Sequence, residues 1–142
     1  MTALAQPELH EALTLPSTLA TVEAIEAKTE EFAKQAGFDE DTVSQIAMIS
    51  REAAANAVLH GNHKDPNKHV RANFSVTSEN LSISVADEGS GFDPSAVPDP
   101  LSPEGLLRPS GRGIFLMRAI MDEVHFRELS PGTEITLVKH RN

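Results

Sequence analysis

Glu52 and Asn56 stand four residues apart, so on a helix they share one face. An asparagine amide offers a neutral oxygen of the kind that ligates Mg²⁺ while the ion keeps several waters and bridges phosphates. A glutamate one turn away can orient or deprotonate a nucleophile. Downstream, Asp87-Glu88-Gly89-Ser90-Gly91 combines a carboxylate, which accepts a hydrogen bond from an exocyclic amine, with glycines that let a flat ring approach the backbone. That combination suits adenine. Gly111-Arg112-Gly113, at the expected start of a helix, offers free N–H groups and the positive end of a helix dipole to phosphate oxygens, and Arg112 adds a fork of donors. Each stretch also has a plainer reading: a solvated helix face, a tight turn, and a flexible junction before a buried helix. In this order they describe a pocket for Mg-ATP. It is not the Walker type, because no G-x-x-x-x-G-K-[ST] occurs in the chain.

The surrounding sequence supplies elements to hold them. His10 to Leu15 reads as a short strand ended by Pro16. Ser17 is a suitable N-cap, and Leu19, Val22, Ile25, Phe32 and Ala33 recur at helical spacing until Gly37. Asp39 caps a second helix expected from about Glu40 to His60, with Gly61 just past its end. On this helix Val43, Ile46, Ala47, Ile49, Ala53, Ala54, Ala57 and Val58 form one broad apolar arc. Glu52, Asn56 and His60 fall on the rim of that arc and not on the opposite face. Polar groups at the edge of a core need partners, which places a cleft there.

Val70, Ala72, Phe74 and Val76 alternate with Arg71, Asn73, Ser75 and Thr77, and Leu81, Ile83 and Val85 alternate the same way after a turn. This period of two predicts a half-buried hairpin that delivers Asp87 to its end. Residues 92–110 carry five prolines and little apolar periodicity, a length and composition that suit either a lid loop or a surface excursion. A helix over Ile114 to Met121, apolar nearly all round, is expected to be buried, and strands over Val124 to Leu129 and Glu134 to Lys139 close the chain. Hairpins separated by helices, without strand-helix-strand alternation, predict an α+β sandwich with helices layered on one face of a mostly antiparallel sheet.

Composition narrows the classes. The 142 residues fit one domain, and a net charge of −9, from 21 acidic and 12 basic residues, opposes a polyanionic backbone and disfavours nucleic acid. Cysteine is absent, which removes disulfides, thiolate metal sites and a thiol nucleophile. No apolar stretch approaches membrane-spanning length, so the expectation is a soluble, cytoplasmic protein. His60, His63 and His69 lack a carboxylate pattern for a metal and are assigned capping and surface roles, while Lys64 is a further candidate for a phosphate contact.

These motifs, taken in order, resemble the GHKL (histidine-kinase-like) ATP-binding superfamily of DNA gyrase B, histidine kinases and MutL. Glu52-Ala-Ala-Ala-Asn56 is similar to its N box, Asp87-Glu-Gly89-Ser-Gly91-Phe92 to its first glycine box, Ser110-Gly111-Arg-Gly113-Ile to its second, and Gly132-Thr133 to its last nucleotide-contacting turn. Within it, Asn56-Ala-Val-Leu-His60-Gly61-Asn62, Gly111-Arg-Gly-Ile-Phe-Leu-Met117 and Met121-Asp-Glu-Val124 resemble the bacterial anti-sigma-factor serine/threonine kinases. The resemblance covers roughly residues 8 to 140. It leaves a seven-residue tail, and the length leaves no room for the extra segments of a histidine kinase, gyrase or MutL. It implies a Bergerat-type sandwich over residues 8–142 with the lid at about 92–110. By the same resemblance Glu52 would be the catalytic base, Asn56 the Mg²⁺ ligand and Asp87 the adenine reader. Gly89 and Gly91 would form the pocket floor, Gly111, Arg112 and Gly113 would hold the phosphates, and Thr133 would lie beside the adenine. The implied activity is ATP-dependent phosphorylation of an anti-anti-sigma partner of the STAS type, with sequestration of a sigma factor and a possible homodimer. The alternative is a nucleotide-gated protein-binding switch without kinase activity.

Overall fold

A computed structural model describes residues 9–63, 65–89 and 109–141, with the backbone alone for 109–112. Gly91, Lys64 and the expected lid up to residue 108 lie outside the described residues. The element order is strand β1 (Leu9–Pro16), helix α1 (Leu19–Gln35), helix α2 (Glu40–Asn56), a π-helical turn (Ala57–Gly61), strands β2 (His69–Val76) and β3 (Asn80–Ala86), helix α3 (Pro109–Ile120), and strands β4 (Glu123–Glu128) and β5 (Thr133–His140). The five strands form one sheet in the order β1-β2-β3-β5-β4, and every pairing is antiparallel. Helices α1 and α2 pack on this sheet.

The pleat explains how one face is buried. In β2, Val70, Ala72, Phe74 and Val76 are each at most 1% exposed, and the residues between them are open to solvent or half-buried. Leu81, Ile83 and Val85 of β3 and Ile135 and Leu137 of β5 continue the same face across the sheet. Against it lie Val22, Ile25, Phe32 and Ala33 of α1 and Val43, Ile46, Ile49, Ala53 and Ala54 of α2. The Phe32 and Phe74 rings meet at 5.5 Å between centroids, tilted by 35°, and knit helix to sheet. The apolar arc expected on the second helix is therefore the helix face of the core, and all eight of its residues are buried. The α+β layering predicted from the order of periodicities holds.

Three local expectations are corrected. Thr18, not Ser17, caps α1: its Oγ1 accepts from the Thr21 amide at 3.4 Å. The Ser17 amide still donates to the Lys68 carbonyl at 3.0 Å, so the chain leaves the sheet one residue later than the sequence pattern suggests. Leu19, in the first turn of α1, stays 65% exposed. Helix α3 is buried along one side only. Ile114 and Met117 face the core, whereas Phe115 and Leu116 are 46% and 40% exposed. Gly37, at φ +93°, terminates α1 in the left-handed region that glycine enters without steric cost.

Candidate nucleotide site

Asp87 is built by the register of the central strands. Ala86 pairs with Glu134 at the end of the β3/β5 ladder, and the next pair of backbone groups continues it, with the Asp87 amide donating to the Thr133 carbonyl at 3.0 Å. The side chain then folds back. Its Oδ1 accepts the Gly89 amide at 2.9 Å and the Thr133 amide at 3.2 Å. Among the described residues no donor reaches Oδ2. The residue is 7% exposed, and burial raises its carboxyl above the ordinary range against the opposing pull of the Gly89 and Thr133 amides and the charge of Lys68. The Thr133 hydroxyl is buried with no hydrogen-bond partner. A carboxylate with only one oxygen held by amides, next to a buried hydroxyl without a partner among the described residues, suits a ligand edge that carries a donor.

Three glycines make this possible by close approach. A Cβ on Gly61 would overlap the Asp87 carboxylate, one on Gly89 the Gly61 carbonyl, and one on Gly132 the Asp87 carbonyl. Gly132, at φ +110°, also needs the left-handed conformation. Gly89, expected as a floor residue, packs against the Gly61 carbonyl, and Gly61 and Gly132 pack against Asp87.

The second half of the site lies on α2. Glu52 and Asn56 are half-buried on the side of the helix that meets α3. A Cβ at Gly113 would lie 2.5 Å from Glu52 Oε1, so this glycine lets α3 pass directly over the carboxylate. Burial raises the Glu52 carboxyl, and the neighbouring His60 works in the opposite direction. No donor or acceptor among the described residues meets the Asn56 amide. The described residues also contain no group of three or more His, Asp or Glu able to cage an ion. A single neutral oxygen with nothing bound to it fits Mg²⁺ held chiefly by phosphates and water.

Gly111, Arg112 and Gly113 do not stand before the helix as expected. Helix α3 begins at Pro109, so Gly111 falls in its first turn, where amides are still free, and Gly113 lies one turn inside. Proline at the first helical position costs no hydrogen bond. The structure thus joins Glu52 to Gly113, and Asp87 to Gly89 and Thr133.

The π-helical turn connects the two groups. It continues α2 from Asn56 to Gly61, closing with the Asn62 amide donating to the Ala57 carbonyl at 2.8 Å. Asn56 and Gly61, which packs against the Asp87 carboxylate, therefore stand at the two ends of this turn. Such turns inside a helix commonly mark functional positions. Asn62, wholly buried at the end of this turn, is a residue that the pattern of periodicities passes over as part of a polar turn.

A five-stranded antiparallel sheet with helices packed on it is the architecture of the GHKL ATP-binding sandwich. The family model of the histidine kinase-like ATPase domain matches residues 15–139. The serine-protein kinase RsbW of Bacillus subtilis strain 168 is 33% identical over 122 residues, which cover 78% of this chain and 72% of that protein. The anti-sigma F factor of Geobacillus kaustophilus is 35% identical over 105 residues, covering 70% of each. The crystal structure of the RsbU and RsbW domains of a Mycobacterium tuberculosis protein superposes with a TM-score of 0.67 at 21% identity, over 94% of this chain and 32% of that one. The chain belongs to the histidine kinase-like ATPase domain family.

Proposed function

We propose that this protein is an ATP-dependent serine/threonine kinase and anti-sigma factor, acting in the cytoplasm as one domain from residue 8 to 142. Its phosphoacceptor would be an anti-anti-sigma protein of the STAS type. The observation that carries the nucleotide reading is the buried Asp87 side chain at the glycine-lined end of β3 and β5, with Oδ1 held by the Gly89 and Thr133 amides, beside the Thr133 hydroxyl, which is buried without a partner among the described residues. Kinship with proteins named serine-protein kinase and anti-sigma factor supports the acceptor and partner.

Asp87 accepts the exocyclic amine of adenine through Oδ2, its other oxygen being held by two amides. The triphosphate would run along the α2/α3 boundary toward Asn56, where the early amides of α3, Gly111 among them, and the charge of Arg112 suit its oxygens. Mg²⁺, ligated by Asn56, would neutralise charge developing between the β- and γ-phosphates. Glu52 takes the proton of the acceptor hydroxyl as its oxygen bonds to the γ-phosphorus and the bridging P–O bond breaks, releasing ADP. The burial that raises the Glu52 carboxyl strengthens it as a base near neutral pH.

The test is transfer of label from γ-labelled ATP to a purified STAS protein, with retention of nucleotide binding and loss of transfer in Glu52→Ala. Nucleotide binding without transfer to any STAS acceptor would leave an ATP-binding regulator and remove the kinase.

A further inference from the structure

Two separate segments converge on the side chain of Asn62, which is 0% exposed. Its Oδ1 accepts the Glu88 amide at 2.8 Å, and its Nδ2 donates to the His69 carbonyl at 3.1 Å. Its own amide closes the π-helical turn on Ala57. The Glu88 carboxylate then accepts the His69 amide at 2.5 Å, so residue 88 is tied to the start of β2 from both its backbone and its side chain. The peptide plane between Asp87 and Glu88 is consequently clamped at both edges. Its N–H points at Asn62, and its C=O lies against the Gly132 Cα, where no side chain can be accommodated.

That plane sets where the Asp87 carboxylate projects. Gly61, the residue before Asn62, lies against this carboxylate so closely that a methyl group there would overlap it. One turn of chain thus presses on the carboxylate through Gly61 and holds the adjoining peptide through Asn62. The same turn is the direct continuation of the helix that carries Glu52 and Asn56.

We propose that Asn62 is a positioning residue that fixes the base-reading carboxylate Asp87 relative to the Asn56 helix, and that it thereby sets selectivity for adenine over guanine nucleotides. The inference rests on the nucleotide reading above. At the position where adenine presents an amine, guanine presents a carbonyl oxygen, which a carboxylate repels. That discrimination depends on the carboxylate staying in place. Once the Glu88 amide loses its acceptor one of the clamps on the peptide plane is gone, and the carboxylate beside it is held less firmly toward one edge of the base.

The experiment measures dissociation constants for Mg-ATP and Mg-GTP by calorimetry, together with thermal unfolding, for the full chain and for Asn62→Ala and Asn62→Asp. Asn62→Ala is expected to weaken Mg-ATP about tenfold and to reduce the preference over Mg-GTP by about the same factor. Asn62→Asp keeps an acceptor for the Glu88 amide but loses the donor to His69 and buries a charge. It is expected to unfold at a lower temperature than Asn62→Ala yet to keep more of the selectivity. A merely structural role predicts the reverse ranking, with affinity and melting temperature falling together and the ATP/GTP ratio unchanged, and that result overturns the inference. Should Asn62→Ala not fold, amide exchange in the unaltered, nucleotide-free chain decides. Protection of the Glu88 amide supports the clamp, and exchange at the rate of an open loop refutes it. If the unaltered chain binds neither nucleotide, the nucleotide reading itself fails. Binding with unaltered selectivity in Asn62→Ala removes only the role of Asn62.

Discussion

The two ends of the site are furnished in opposite ways. At the Asp87 end, one carboxylate oxygen is held by two backbone amides, three glycines close on the same few atoms, and Asn62 clamps the next peptide. At the α2 end, Glu52 and Asn56 project from one helix face, and neither makes a hydrogen bond with another described residue. The Asp87 end is ordered because its partners are backbone groups fixed by the β3/β5 ladder. The α2 end consists of side chains without such partners among the described residues. On the proposed function, preorganisation would be concentrated where the base is read, and the reacting end would be completed on binding.

Substitutions at the two ends should therefore fail differently. The largest effect is expected from Glu52→Ala: phosphoryl transfer falls by about 10³-fold, in line with loss of a general base, while the Mg-ATP dissociation constant stays within about threefold. Equal losses in binding and transfer would mean that Glu52 supports the pocket and not the chemistry. Next is Asn56→Ala, expected to weaken Mg-ATP about a hundredfold, or about 2.8 kcal/mol, and to abolish the advantage of Mg²⁺ over its absence in a titration. A loss that is the same with and without Mg²⁺ would detach Asn56 from the metal. Smaller again is Thr133→Val, which removes the orphaned hydroxyl. It should weaken ATP about fivefold while leaving the melting temperature of the nucleotide-free chain unchanged or raised, since the hydroxyl has no partner to lose.

How much of this was legible in the sequence follows the same division. The sheet and the α2 core face were readable because alternation at Val70 to Val76 and the arc from Val43 to Val58 are sustained periodicities, and burial simply obeys them. Glu52 and Asn56 were readable as polar residues on the rim of an apolar arc, and Asp87 and Gly89 as a carboxylate and glycine at a strand end. Asn62 was not, because its importance comes from Glu88, 26 residues on, and from the carbonyl of His69, which reach it only through the fold. Gly61 was visible as a helix terminator, yet its φ is not positive. It is glycine because the Asp87 carboxylate lies against it, a long-range contact that no local pattern encodes. The start of α3 was misplaced for a local reason: Pro109 fits the first helical position and let the helix begin two residues before the glycines that seemed to open it.

The smallest effect expected on stability separates the ligand role of Asp87 from a scaffold role. Burial raises the carboxyl groups of both Asp87 and Glu52, so the native state binds their protons more tightly than the unfolded chain does. A carboxyl raised in this way favours folding while it is protonated, below its ordinary value of 3.8 for Asp87, and that favour is lost as pH rises through the elevated range. Above that range the nucleotide-free protein carries the deficit. Asp87→Asn, which preserves an acceptor for the Gly89 and Thr133 amides but has no charge to bury, should raise the melting temperature by roughly 2–4 °C at pH 7. The gain should vanish as pH falls below the ordinary aspartate value, where both proteins are neutral at this position. The same substitution places an amide opposite the adenine amine and should weaken ATP about tenfold. A chain that melts higher but binds less marks Asp87 as a group kept for its ligand at a cost in stability. A pH-independent difference, or a less stable Asp87→Asn, would instead make the carboxylate part of the scaffold. The rigid end of the site would then owe its order to charge and not to the backbone around it.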